Sequence, residues 1–181
     1  MIVFFGPAGS GKSVQGQILA ARQGWRWLSS GQLLRDSHDL EILEGLRTGK
    51  LTSTETVNKV LGDALKRATN VDRVILDGYP RLLEQAEWLV NSQADNGHAI
   101  SLAVVIEVPR AELMKRLEVR GRNDDTPEAI DERLKIYRQE VYPILNYLTE
   151  KNIPIAHIDG TGTVGQVHDK IIEELEAHKI I

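Results

Sequence analysis

The sequence predicts an α/β sandwich on a five-stranded parallel sheet, and two observations carry that prediction. Short continuous apolar runs alternate along the chain with longer stretches of helical period. The runs are unbroken rather than alternating, which is the pattern of strands covered on both faces. The length of 181 residues suits one ordinary domain. No stretch rich in Pro, Gly or Ser divides it, and no internal repeat is present.

The elements follow in order. Ile2 to Phe5 reads as a buried strand, Lys12 to Arg22 as a helix and Trp25 to Leu28 as a short strand. Trp25 and Trp27 share one strand face and read as core. Leu33 to Thr48 has a helical but interrupted pattern, punctuated by Gly45 and Gly49. Thr52-x-x-Glu55 has the form of a capping box, opening a helix to about Lys66. Val71 to Leu76 is a second buried strand. Leu82 to Asn91 is a helix with Leu82, Leu83, Ala86, Leu89 and Val90 on its apolar face. Leu102 to Val108 is a strand, and Pro109 suits the first turn of the next helix. Thr126-Pro127 opens a long helix that Pro143 is expected to kink or end. Ile153 to Ile158 is a last strand, and Thr163-x-x-Gln166 caps a terminal helix. The arrangement implies right-handed crossovers between parallel strands.

Composition narrows the function. The net charge of -4 speaks against a general nucleic-acid binder, which is usually basic. The absence of cysteine excludes disulfides, thiolate metal sites and cysteine nucleophiles. No run is long and apolar enough to span a membrane, and the apolar start at Ile2 is too short for a signal peptide. A cytoplasmic protein without a membrane or nucleic-acid partner is the expectation. The five histidines are scattered and carry no assigned chemistry.

The strongest local signal is Gly6-Pro7-Ala8-Gly9-Ser10-Gly11-Lys12-Ser13, which fits G-x-x-x-x-G-K-[ST] between a buried strand and a helix. Glycines let backbone N–H groups approach phosphates, and the following helix adds its positive end. Lys12 can reach the β- and γ-phosphates, and the Ser13 hydroxyl can hold Mg²⁺. The motif alone means nucleotide binding. A guanine-reading N-K-x-D element, which a switch GTPase needs, is absent.

Further segments decide among phosphate-loop proteins. They are Leu28-Ser29-Ser30-Gly31-Gln32-Leu33-Leu34-Arg35, Gly49-Lys50-Leu51 and Asp77-Gly78-Tyr79-Pro80-Arg81 followed by Gln85. A third group runs Arg116-x-x-x-Arg120-Gly121-Arg122-Asn123-Asp124-Asp125, with Arg133 beyond it. In this order, over nearly the whole chain, the set resembles the adenylate kinase family of nucleoside monophosphate kinases. The resemblance implies a P-loop NTPase-type three-layer sandwich. It also implies a helical AMP-binding insertion at 30–60 and a very short lid at 121–126. The implied reaction is reversible Mg-dependent phosphoryl transfer from ATP to AMP, giving two ADP, by a monomer.

Residue roles come from the same resemblance. The ATP side is Gly9, Ser10, Gly11, Lys12, Ser13, Val14, Arg116, Arg120 and Gly162. The AMP side is Ser30, Arg35, Lys50, Leu51, Thr52, Gly78, Tyr79, Pro80, Arg81, Gln85, Arg122 and Arg133. Lys12, Arg81, Arg116, Arg122 and Arg133 are the catalytic set, and Ser13 and Asp77 hold Mg²⁺, Asp77 through water. Bidentate guanidinium–phosphate pairing suits the arginines. The amide of Gln85 suits the N6/N1 edge of adenine.

Several of these residues also admit plainer readings. Asp77-Gly78 is a common turn, Ser29-x-x-Gln32 is itself a capping box, and Gly160 to Gly162 can be an ordinary strand-to-helix turn. Gln32 stands where family members carry Asp. Only Gly121 separates Arg120 from Arg122, where long-lid relatives insert a small domain. A related kinase acting on UMP, CMP or another small acceptor remains an alternative, as does a nucleotide-binding regulatory protein without turnover.

Overall fold

The computed structural model describes residues 1–40, 42–44, 53–68, 71–93, 97–121 and 126–181. Five parallel strands form one sheet in the order β2-β3-β1-β4-β5. They are β1 (Ile2–Phe5), β2 (Arg26–Ser29), β3 (Val74–Asp77), β4 (Leu102–Glu107) and β5 (Ile155–Asp159). The helices are α1 (Lys12–Gln23), α2 (Ser30–Arg35), α3 (Thr54–Arg67), α4 (Leu83–Gln93), α5 (Arg110–Arg120), α6 (Pro127–Glu150) and α7 (Val164–Ala177).

The two faces of the sheet explain the unbroken apolar runs. Val3, Phe5 and Leu76 point into a core closed by Leu65 of α3, Leu89 of α4 and Ile144 of α6. Ile2, Phe4 and Ile75 point the other way, against Leu19 of α1 and Ile171 of α7. Trp25 and Trp27 pack on this second core, as the alternation suggested. A third cluster joins Leu113 and Leu117 of α5 to Ile130 and Leu134 of α6.

Register brings the strand ends together. Phe4 and Ser29 both pair with Asp77, and Glu107 pairs with Asp159. The loops that carry function therefore leave one edge of the sheet, outside the carboxyl ends of the strands, where open α/β sheets bind ligands.

Four expectations are corrected. The cap of α3 is Ser53, whose hydroxyl accepts from the Thr56 N–H at 3.2 Å, and Thr52 lies outside the described residues. Ser and Thr cap almost equally well, so spacing could not choose between adjacent candidates. Pro143 does not end its helix, since α6 continues to Glu150. The proline ring deprives the Gln139 carbonyl of its partner, but both residues are exposed and water can serve that carbonyl. Meanwhile Val141, Ile144, Leu145 and Leu148 bury the opposite side of the helix. Leu83 lies at the edge of the α4 stripe and is 37% exposed, whereas Ala86 and Leu89 are buried. Between 33 and 48 the pattern is interrupted as expected, with helix again at 40 and 42–44 and residues 45–48 outside the described ones, but the first helix begins early, at Ser30, and closes at Arg35. The Ser29 hydroxyl caps it by accepting from the Gln32 N–H at 3.4 Å.

Candidate active site

The phosphate loop leaves β1 and turns at once into α1. Gly11 stands before the helix at φ 91°, left-handed, and no side chain caps the helix start. The first-turn amides of α1 thus keep no side-chain acceptor, which is the condition for an anion site. Gly9, at φ 85°, packs so closely that a Cβ would lie 3.0 Å from Leu117 Cγ. A Cβ on Gly6 would lie 2.5 Å from Ser10 Oγ. Ser10 Oγ is buried and has no hydrogen-bond partner among the described residues. The loop is therefore packed tightly at Gly6 and Gly9.

Asp77 ends β3, beside the loop. It is 3% exposed, and its Oδ1 has no hydrogen-bond partner among the described residues. A buried carboxylate oxygen without a donor is costly and calls for a cation or a water. Burial holds the Lys12 ammonium below the usual lysine range, the charge of Asp77 opposes this, and Arg81 and Arg120 reinforce it. Lys12 is thus electrostatically in reach of Asp77, Arg81 and Arg120. Among the described residues no three His, Asp or Glu side chains form a metal-holding group.

A cleft of about 300 Å³ opens here. Gly6, Lys12, Gly78, Pro80, Arg81 and Arg133 line it, so strand ends, phosphate loop and α6 meet around three cations. Its floor is apolar, formed by Phe5, Tyr79, Val141 and Ile144. Tyr79 faces the core. Its hydroxyl donates to Asn58 Oδ1 at 2.6 Å, and its ring meets Trp88 edge-on, centroids 6.2 Å apart.

The residues expected on the acceptor side are braced internally. The Ser30 hydroxyl donates to the Gly78 carbonyl at 2.7 Å. Arg81 Nε donates to the same carbonyl at 2.8 Å. Gln85 Oε1 accepts from the Arg81 backbone N–H at 2.8 Å, which leaves the amide nitrogen to address a ligand. Arg35 is exposed and donates to Gln32 Oε1 at 2.9 Å, while Gln32 Nε2 donates to Asp36 Oδ1 at 2.7 Å. Gln32 therefore spends its amide on its neighbours, and the second half of the Ser29–Gln32 box does not form as expected.

On the other side, Arg116 stands outside the cleft. Its Nη2 donates to the Gly160 carbonyl at 2.9 Å and its Nε to Glu112 at 2.9 Å. Arg120 is exposed at the end of α5, which Gly121 closes at φ 66°. Gly162 lies in the exposed turn after β5 at φ 106°, beside the complete Thr163–Gln166 capping box. Ser13 and Val14 sit in the first turn of α1. Lys50, Leu51, Thr52 and Arg122, with Asp124 and Asp125, lie outside the described residues.

Sequence reasoning missed one wall of the cleft. Ile136, Tyr137 and Glu140 line it together with Arg133. Their spacing from Arg133 is i+3, i+4 and i+7, one helix face, so the arginine could have led to them.

Comparison with known proteins gives the family. The family model described as adenylate kinase covers residues 4–153. The chain belongs to the adenylate kinase family. It is 35% identical over 172 residues to an adenylate kinase of Mycolicibacterium paratuberculosis, covering 92% of this chain and 93% of that one. It is 34% identical over 180 residues to an adenylate kinase of Mycobacterium leprae, covering 96% and 98%. An adenylate kinase of Thermus thermophilus is 33% identical over 180 residues, covering 94% of each chain. The five-stranded parallel sheet and phosphate loop of this family member are those the sequence predicted.

Proposed function

We infer that this kinase transfers the γ-phosphoryl group of ATP to AMP, reversibly, giving two ADP. The observation that carries the reading is the meeting of Lys12, Arg81 and Arg133 in one cleft beside Asp77. Phosphoryl transfer asks the protein mainly to place two phosphates in line and neutralise their charge. The α1 amides and Lys12 take the donor phosphates. Arg81 and Arg35 take the acceptor phosphate, and Arg133 with Arg122 meets the transferring group. A phosphate oxygen of AMP forms the new bond to the γ-phosphorus as the bond to the β-bridging oxygen breaks. The attacking AMP oxygen is already anionic, so no general base is required, and the leaving bridging oxygen takes its charge onto ADP.

Ser13 and the unpartnered carboxylate of Asp77 fit a hard cation bound with the donor. Mg²⁺ held there would supply charge neutralisation between the phosphates. Arg116, Arg120 and Gly162 form the donor side, and Lys50, Leu51 and Thr52 the backbone wall of the acceptor. Residues 30–60 act as the acceptor-binding insertion and 121–126 as a short lid within a single domain. Ser30 and Gln85 favour adenine over a pyrimidine. No described helix is long and apolar enough to cross a membrane. A monomer working in the cytoplasm, with nucleotides as its partners, completes the proposal.

A coupled ADP-formation assay with Mg²⁺ and ATP tests it. AMP is expected to be turned over faster than UMP or CMP. Equal or better turnover of a pyrimidine monophosphate would overturn the acceptor, and no turnover of any would overturn the reaction.

A further inference from the structure

Outside the cleft, one buried polar chain is left without a role. Gln15, in the first turns of α1, is 3% exposed and His168 of α7 is 2% exposed. Gln15 Nε2 donates to the Val164 carbonyl at 2.8 Å. That bond leaves Gln15 Oε1 as an acceptor, and His168 Nδ1 lies 3.1 Å from it. Nδ1 must therefore carry the hydrogen. His168 Nε2 is buried with no hydrogen-bond partner among the described residues, so the imidazole is neutral and its tautomer is set by Gln15.

The chain ends where it matters. Val164 opens α7, directly after the turn that contains Gly160, Thr161 and Gly162. That turn is gripped from the opposite side by Arg116, whose Nη2 holds the Gly160 carbonyl. Within the turn, Asp159 Oδ1 accepts from the Thr161 N–H at 3.0 Å and Gln166 Oε1 from the Thr163 N–H at 2.9 Å. The turn is thus internally rigid. The Gly160 N–H also donates to the Glu107 carbonyl at 2.7 Å, and Gln15 adds the direct hydrogen bond from the end of this turn to the phosphate-loop helix.

We propose that His168 is a positioning residue for the donor nucleotide. By donating from Nδ1 it orients the Gln15 amide, and Gln15 then ties the Gly160–Thr163 turn to the first turns of the phosphate-loop helix. The proposal rests on the reading of that turn as part of the ATP side. It makes His168 act on ATP and not on AMP, whose brace runs through Ser30, Gly78 and Gln85 on the other half of the sheet.

The test compares His168→Asn, which keeps an N–H donor, with His168→Leu, which has none. Affinity for a non-hydrolysable ATP analogue is measured by calorimetry, and KM for ATP and AMP in the coupled assay. H168L is expected to bind the analogue and to show a KM for ATP weakened about tenfold, the loss of one buried hydrogen bond. KM for AMP should stay within about twofold, and H168N should recover most of the ATP affinity. Should H168L fail to fold, Gln15→Glu keeps the acceptor for His168 and loses the donor to Val164, and the same split is expected. Unchanged analogue affinity, equal loss for ATP and AMP, or no rescue by H168N would overturn the inference while the reaction stands. Analogue binding that needs His168, in a protein that does not phosphorylate AMP, would overturn the acceptor and leave this inference in place.

Discussion

The side chain of Gln85 accepts a hydrogen bond from the backbone N–H of Arg81, at 2.8 Å. The residue proposed to read the base and the residue proposed to grip the phosphate are therefore one unit, at the start of α4. Gln85 is 6% exposed while Arg81 is exposed, so the bond is part-buried. Gln85→Leu should leave the part-buried Arg81 N–H without this partner, at a cost of about 1 kcal/mol. KM for AMP should rise tenfold or more, and the preference for AMP over UMP should shrink. Unchanged acceptor kinetics would separate Gln85 from the site.

Lys12 and Arg81 both line the cleft, where the proposed function sets them on the donor and acceptor phosphates. Lys12→Met and Arg81→Ala are each expected to lower kcat about 10²–10³-fold, the usual cost of removing one donor from a preorganised clamp. Melting temperatures should move little, since neither side chain belongs to a core cluster. A loss under tenfold in both would place the chemistry elsewhere.

Gly160 has no room for a side chain. A Cβ would sit 2.6 Å from Ile106 Cγ2 and 2.6 Å from Val108 Cγ2. Gly160→Ala should destabilise by about 1–3 kcal/mol through overpacking. Because Arg116 holds the same residue's carbonyl, ATP affinity should weaken together with the melting temperature. The two are read by a nucleotide titration and a thermal melt of one variant.

Acid should weaken the His168 tie. Burial holds this imidazole below the ordinary histidine range, Arg22 of α1 adds to the depression, and Asp169 of α7 opposes it. Below about pH 6.5 the unfolded chain takes up a proton that the folded chain refuses, so stability falls as the pH drops. The melting temperature of the wild type should fall more between pH 7 and 5 than that of His168→Asn. Parallel curves would show that another group carries the acid sensitivity.

A single residue, Gly121, separates Arg120 from Arg122, so closure at 121–126 has little chain to work with. Hydrogen exchange with a bisubstrate dinucleotide should show stronger new protection within 30–60 than within 121–126. Some ATP hydrolysis without acceptor should accompany it, because closed lids are what exclude water. Dominant protection at 121–126, or no hydrolysis without AMP, would reverse this expectation.

Much was legible in the order of the residues. The unbroken runs at Ile2–Phe5 and 102–106 announce strands covered on both faces, because only a doubly covered strand can be apolar throughout. The glycines before Lys12 announce a phosphate loop, because its chemistry needs bare backbone. These signals are local, and local physics suffices to read them. Other features depended on distant partners. Whether Pro143 broke its helix turned on how much apolar surface α6 buries on its far side. Which of Thr52 and Ser53 capped α3 was a choice between near-equal energies. Glu140 and Tyr137 joined the cleft only because α6 lies across the strand ends. Gln15 and His168, 153 positions apart, looked like unrelated polar residues. Their partnership exists because α1 and α7 cover the same face of the sheet, where a buried amide oxygen and a buried imidazole N–H meet.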